Sequence, residues 1–263
     1  MSAGQPVDVQ AVLFDKDGTM SRSEPHLFEL ATARIEHCLR LVEPNARAEL
    51  SQLLSRAYGV RHQDGCLDPA GITAVAARDH NLISTAVALT QMGMGWPESL
   101  ALAEETFRRA DIDSPPAAPA AAMTDGLGEV LGALRRFGVL CAVISNDGQE
   151  GIQTFLSHHS LSEQISEIWS ADHQPRKPDP QAVHQLCDNL GIPPSRCALI
   201  GDANSDLHMA RSAGVALVMG YTGGWRQPVS LAKTYPHLHD WRDLSVSKTL
   251  EPPPGVSTAT RAS

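Results

Sequence analysis

Val12-Leu13-Phe14-Asp15-Lys16-Asp17-Gly18-Thr19 is the stretch that decides the fold: an apolar run ends there in two carboxylates one residue apart, and then in a glycine. From Ala11 to Phe14 the run is apolar without alternation, the pattern of a strand covered on both faces in a parallel sheet. Ligand crevices in open parallel sheets lie at the carboxyl ends of the strands, which places Asp15 and Asp17 at such a crevice. Two carboxylates this close repel each other, so the pair asks for a cation between them or for unequal protonation. A plain strand followed by an Asp-Gly turn would account for these residues taken alone. The rest of the chain must therefore choose.

Downstream of a short polar passage, Met20 to Glu24, the pattern turns helical. Leu27, Leu30, Ile35, Leu39 and Leu41 recur at helical spacing from about His26, and Leu50, Leu53 and Leu54 stripe a second helix over 48–58. Asp68-Pro69 reads as a helix cap followed by proline at the first helical position, predicting a helix from Pro69 to about Arg78. Helices are also predicted over 81–92 and from Pro97 to about Ala110, with no strand between residues 21 and 112. Ser114-Pro115-Pro116-Ala117-Ala118-Pro119 is a hinge. Beyond it, strands (139–144, 165–169, 197–200, 215–219) alternate with helices (125–137, 149–156, 180–189, 206–213). This alternation predicts an α/β fold, a Rossmann-like parallel sheet with helices on both faces, to which the first strand belongs. The expected organisation is a discontinuous core (1–20 and 118–245), an all-helical insert (21–117), and a disordered tail (246–263) rich in Pro, Ser, Thr and Ala. Gly126-Leu127-Gly128-Glu129-Val130-Leu131-Gly132 imitates a dinucleotide fingerprint, but no strand precedes it and its third glycine comes one residue late.

The 263 residues carry a net charge of -9, which offers no electrostatic drive toward nucleic acid or an anionic membrane. Cys38, Cys66, Cys141, Cys187 and Cys197 lack metal-binding spacing and read as reduced core thiols. With no signal-like N-terminus and no long apolar run, the expectation is a soluble, cytoplasmic protein whose partner is a small anionic metabolite. No sequence feature specifies an oligomeric state.

Three further polar clusters sit at predicted strand ends. Val143-Ile144-Ser145-Asn146 supplies a hydroxyl and an amide able to donate to a phosphate oxygen, though strand-end turns also use Ser-Asn. Pro175-Arg176-Lys177-Pro178-Asp179-Pro180 pins an ammonium in a proline-rich loop. Ala198-Leu199-Ile200-Gly201-Asp202-Ala203-Asn204-Ser205-Asp206 places two carboxylates four residues apart at a strand-to-helix junction. His158-His159 lacks partners at ligand spacing and reads as a solvated helix end.

In order and spacing these four clusters resemble the motifs of the haloacid dehalogenase (HAD) superfamily: D-x-D-G-T, a strand-ending Ser or Thr, a Lys, and G-D-x-x-x-D. The resemblance runs from about Val9 to Leu244, and the insert is similar to the C1-type cap of the phosphoglycolate phosphatase and β-phosphoglucomutase branch. Ser23-Glu24-Pro25 looks like the segment leading into such caps; Arg22 departs from the Asp found there in many relatives.

The resemblance implies Asp15 as nucleophile and Asp17 as acid and base. It implies Mg²⁺ held by Asp15, the Asp17 carbonyl and Asp202, and phosphate met by Ser145, Asn146 and Lys177. Asp206 and Thr19 would support from behind, Asp206 by orienting Lys177. Asp17 favours phosphoryl over halide chemistry, because attack on carbon needs no acid two residues after the nucleophile. Lys16 occupies a position that varies among relatives, and Arg78, Asp79 and His80 are the cap residues weighed for the leaving group. The expected activity is Mg²⁺-dependent hydrolysis of a small phosphomonoester, of the phosphoglycolate or sugar phosphate class, through an aspartyl-phosphate. The rivals are a phosphosugar mutase on the same core and a non-catalytic regulatory binding protein.

Overall fold

The computed structural model describes residues 8–113 and 120–247. The 114–119 hinge, the boundary between residues 117 and 118, and the tail from residue 248 lie outside them. Val246, assigned to the tail by its sequence, instead packs partly against the core. In chain order the elements are β1 (Ala11–Phe14), β2 (Ser21–Arg22), α1 (Glu24–Arg40), α2 (Arg47–Tyr58), β3 (Val60–Arg61), β4 (Cys66–Leu67), α3 (Ile72–Val75), α4 (Arg78–Gln91) and α5 (Trp96–Asp113). There follow β5 (Ala122–Met123), α6 (Leu127–Arg136), β6 (Leu140–Ile144), α7 (Gln149–His158), β7 (Glu167–Trp169), α8 (Pro180–Leu190), β8 (Cys197–Gly201), α9 (Asn204–Ser212), β9 (Leu217–Tyr221) and β10 (His237–Leu238).

The main sheet has the order β10-β9-β8-β1-β6-β7, and every pairing in it is parallel. β1 lies between β6 and β8, and its residues explain the unalternating apolar run. Ala11 and Leu13 enter one core, against Ala182, Val183 and Leu186 of α8 and Leu207 and Ala210 of α9. Val12 and Phe14 enter the other, against α6, α7 and Trp241. Side chains alternate between faces along a strand, so a strand with a core on each face must be apolar throughout. Parallel registration brings Phe14, Val143 and Ile200 level, so the residues that follow, Asp15, Ser145 (via Ile144) and Gly201-Asp202, emerge at one edge.

The insert's helices α1, α2, α4 and α5 close around a third apolar cluster that includes Ile35, Leu50, Leu54, Tyr58, Leu89 and Ala103. Two expectations need correction here. Short strands do occur between residues 21 and 112: β2 pairs antiparallel with β5, and β3 with β4. Two-residue ladders of this kind leave no periodic signature in a sequence. None of them joins the main sheet.

The helix predicted from Pro69 to Arg78 is the other. Asp68 Oδ1 accepts from the Ala70 N–H at 3.0 Å, its carbonyl accepts from Gly71, and helix begins only at Ile72. Gly71 packs against the backbone of Gly59, where an added Cβ would lie 2.9 Å from the Gly59 Cα. That close approach holds the chain in a turn until Ile72, and α3 ends at Val75 before α4 starts afresh at Arg78.

Trp241 is fully buried, stacked 4.5 Å from Tyr221 and tilted 5.8 Å from Phe14. Its Nε1 donates to Thr124 Oγ1 at 2.8 Å, and that hydroxyl donates to the Thr19 carbonyl at 2.8 Å. The ring therefore fixes the loop after β1 as well as filling the core. Trp241→Ala is expected to lower unfolding free energy by ~3–5 kcal/mol, the usual cost of an aromatic cavity, measurable by urea denaturation. A loss below about 1 kcal/mol would contradict this packing.

Candidate active site

Asp15, Asp17, Ser145, Asn146, Lys177, Asp202 and Asp206 line one cleft, roofed by Ala74 and Val75 of α3. They arrive on the ends of β1, β6 and β8 and on the proline-pinned loop, so the four sequence clusters converge. The Lys177 ammonium, with a side chain only 4% exposed, lies 2.6 Å from Asp15 and 2.8 Å from Asp206, and donates to the Ile144 carbonyl at 3.3 Å. Thr19 Oγ1 donates to Asp202 at 3.0 Å, and Trp225 Nε1 donates to the other oxygen of Asp202 at 2.5 Å. Gly18, at φ +77°, permits this: a Cβ there would fall 2.1 Å from the indole nitrogen and 2.3 Å from Asp202. Gly224 is its counterpart, since a Cβ on it would lie 1.9 Å from the Gly18 carbonyl.

Burial disfavours the charged form of Asp15 and lifts its pKa to about 6, against the pull of Lys177. Asp202 is raised well above the usual carboxylate range by burial and by the neighbouring Asp15 and Asp206. For Lys177 burial works against the charge, but Asp15 and Asp206 outweigh it and raise the pKa. Oxygens of Asp15, Asp202 and Asp206 lie within 4.8 Å of one another. Three buried carboxylates around one ammonium leave an excess of negative charge, and an all-oxygen donor set suits a hard divalent cation. The residues present thus fit a metal.

Asp17 turns toward a different group. Its Oδ1 accepts from Lys16 Nζ at 2.5 Å, from Ser21 at 3.4 Å and from Ser23 in a short hydrogen bond. Burial alone would raise the Asp17 pKa, but Lys16 and Ser23 bring it below the ordinary value.

Asn146, read as a phosphate donor, uses its Nδ2 to donate to the Val75 carbonyl at 3.0 Å and so ties the core to α3. None of Arg78, Asp79 and His80 lines the cleft. Arg78 pairs with Asp111, and Asp79 meets Arg176 of the core at 2.6 Å. Sequence reasoning passed over Asp147 and Trp225. Asp147 follows Ser145 by only two residues, and the signal for Trp225 was the Gly223-Gly224 pair before it, a mark of close backbone approach. The five cysteines are all buried and free.

Residues 9–214 match the sequence pattern of the haloacid dehalogenase-like hydrolases. The chain belongs to that family. A phosphoglycolate phosphatase of Rhodospirillum rubrum is 25% identical over 228 residues, covering 84% of this chain and 83% of the relative. Among solved structures, a predicted phosphoglycolate phosphatase from Haemophilus somnus superposes with a TM-score of 0.64 at 20% identity, over 91% of this chain and 97% of the other. The Rhodobacter sphaeroides protein CbbY, solved with xylulose 1,5-bisphosphate, superposes at 0.52 with 17% identity, over 90% and 96%. The family makes this chain a hydrolase, and the curated relatives it matches are named phosphatases. No helix among the described residues is long and apolar enough to cross a membrane.

The raised carboxyl pKa values carry a thermodynamic consequence. Between about pH 4 and pH 6 the folded protein binds protons on Asp15 that the unfolded chain has released, so this contribution to stability falls as pH rises through that window and is absent above it. A cation that replaces the proton restores it. Mg²⁺ is expected to raise the melting temperature more at about pH 7.5 than at about pH 5, read by scanning fluorimetry against chelator. Equal shifts at both values, or no shift, would remove the metal assignment.

Proposed function

We propose that the enzyme hydrolyses a small phosphomonoester, with phosphoglycolate the first candidate and sugar phosphates next, through a phosphorylated Asp15 and with Mg²⁺ as cofactor. The observation that carries the reading is the buried Lys177 held between Asp15 and Asp206, with Asp202 alongside. Asp15 would attack phosphorus as the bond to the leaving oxygen breaks, and Asp17 in its protonated form, the minor one in this resting arrangement, would give that oxygen its proton. Asp17 would then take a proton from water as it attacks the acyl phosphate, releasing inorganic phosphate and restoring Asp15. Splitting one displacement into two lowers each barrier. Lys177, Ser145 and the main-chain N–H groups after Asp15 would hold the phosphoryl oxygens, and phosphoryl transfer depends mainly on such positioning and charge neutralisation. Asp15, Asp202 and the Asp17 carbonyl would hold Mg²⁺, which when bound neutralises phosphate charge.

The cleft has about 20 Å³ of free volume, room for about one water. A phosphomonoester enters only if α3 and its neighbours lift, which suits a helical cap that opens and closes over the site. The Rhodospirillum rubrum relative supports phosphoglycolate as first substrate, and CbbY with its bound bisphosphate supports small sugar phosphates.

A panel of phosphomonoesters assayed with Mg²⁺ for phosphate release tests the reading, and isomerisation without release would favour a mutase instead. Asp15→Asn is expected to abolish turnover. Asp17→Asn is expected to lower it by roughly 10²-fold to 10⁴-fold. With an activated aryl phosphate, the Asp17→Asn protein should accumulate a phosphate adduct on Asp15, visible by rapid-quench mass spectrometry. An adduct elsewhere, or unchanged turnover in either variant, would overturn the assignment.

A further inference from the structure

Trp225 is buried, and its ring packs into the apolar cluster of the helical insert. Packing accounts for the ring but not for the direction of its N–H. That group donates to Asp202 Oδ2 at 2.5 Å, while Thr19 Oγ1 donates to Oδ1 at 3.0 Å. Two glycines make the approach possible: Gly18 leaves no room for a Cβ beside the indole nitrogen, and Gly224, next to Trp225 in the chain, leaves none beside the Gly18 carbonyl. The three carboxylates of the cleft are thus held differently. Asp15 and Asp206 share the Lys177 ammonium, whereas Asp202 receives a hydroxyl and an indole, both neutral. An indole N–H can donate but has no lone pair to offer a metal, so Trp225 orients Asp202 without competing with it for a cation.

Building on the phosphatase reading and its Mg²⁺ assignment, we propose that Trp225 is a positioning residue for the metal, its indole N–H holding Asp202 in the orientation that favours Mg²⁺ over Ca²⁺. Trp225 does not itself line the cleft, so its effect passes through Asp202. Donors on both oxygens fix the plane of the carboxylate, and turning it strains one bond or both. Mg²⁺ requires near-octahedral oxygens at about 2.0–2.1 Å, whereas Ca²⁺ takes about six to eight at about 2.3–2.6 Å in adaptable arrangements that include both oxygens of one carboxylate. A fixed carboxylate therefore suits the first ion, and a mobile one the second. Groups that orient a metal ligand from behind contribute about 10-fold to 10²-fold in metal affinity.

Trp225→Phe removes the N–H and keeps an aromatic ring in the insert's cluster. The test is a pair of melting-temperature titrations of the full-length, metal-free protein, one with magnesium chloride and one with calcium chloride at about pH 7.5, each giving an apparent dissociation constant. In the variant, Mg²⁺ affinity is expected to fall by about 10-fold to 10²-fold and Ca²⁺ affinity by far less, so that the preference for Mg²⁺ contracts. A merely structural Trp225 would lower the melting temperature of the metal-free protein and leave the ratio of the two affinities unchanged; that result, or an unaltered Mg²⁺ affinity, overturns the proposal. Should the variant not fold, crystals of the unaltered protein grown with each ion decide it. The Trp225–Asp202 bond should survive with Mg²⁺ and lengthen or break with Ca²⁺; the same bond with both ions, or its loss with Mg²⁺, overturns the proposal. A wild-type protein that binds neither ion removes the Mg²⁺ assignment and this inference with it, whereas one that binds Mg²⁺ while the variant keeps the ratio removes this inference alone.

Discussion

The Lys177 ammonium, buried between Asp15 and Asp206, is the interaction on which the rest of the structure depends. A charge so far from water persists only when its partners are close and correctly placed. Here the partners come from β1 and α9, and the ammonium itself from a loop that also donates to the end of β6. The sheet order that makes β1 a neighbour of both β6 and β8 is thereby tied to the chemistry at its edge. Remove the cluster, and three loops lose the reason to meet; misorder the strands, and the cluster cannot form.

Much of this was legible in the sequence because it rests on local patterns. The unbroken apolar run of β1 announced a strand with a core on both faces, and the polar residues after β1, β6 and β8 announced a shared edge. What could not be read depends on approaches between distant parts of the chain. Trp225 reaches Asp202 only because Gly18 and Gly224 let two loops pass almost in contact. Asp147 gains its meaning from Lys16, which lies more than a hundred residues earlier. Asp68-Pro69 carried every local mark of a helix start, yet the Gly59–Gly71 contact kept the chain in a turn. Asn146 lines the cleft, but its side-chain amide meets a carbonyl of α3 that no sequence pattern could have located.

Polar contacts that join the helical insert to the core include Asn146 to Val75, Arg176 to Asp79, and the buried Glu24. Glu24 accepts from the Leu67 N–H at 3.1 Å with one oxygen and from the Arg226 N–H at 3.0 Å with the other. These run between polar or charged groups, which can exchange partners with water at modest cost.

Trp225 belongs to both sides of that interface. Its indole nitrogen donates to Asp202, while its ring packs into the apolar cluster of the insert. One rigid side chain therefore spans from a carboxylate at the sheet edge to the interior of the helices above it. Any tilt of those helices that carries the ring along changes the donor on Asp202, and any occupant that claims the Asp202 oxygen changes the seat of the ring. By thermodynamic reciprocity the two effects are equal: whatever factor a helix rearrangement applies to occupancy at Asp202, occupancy applies to the rearrangement.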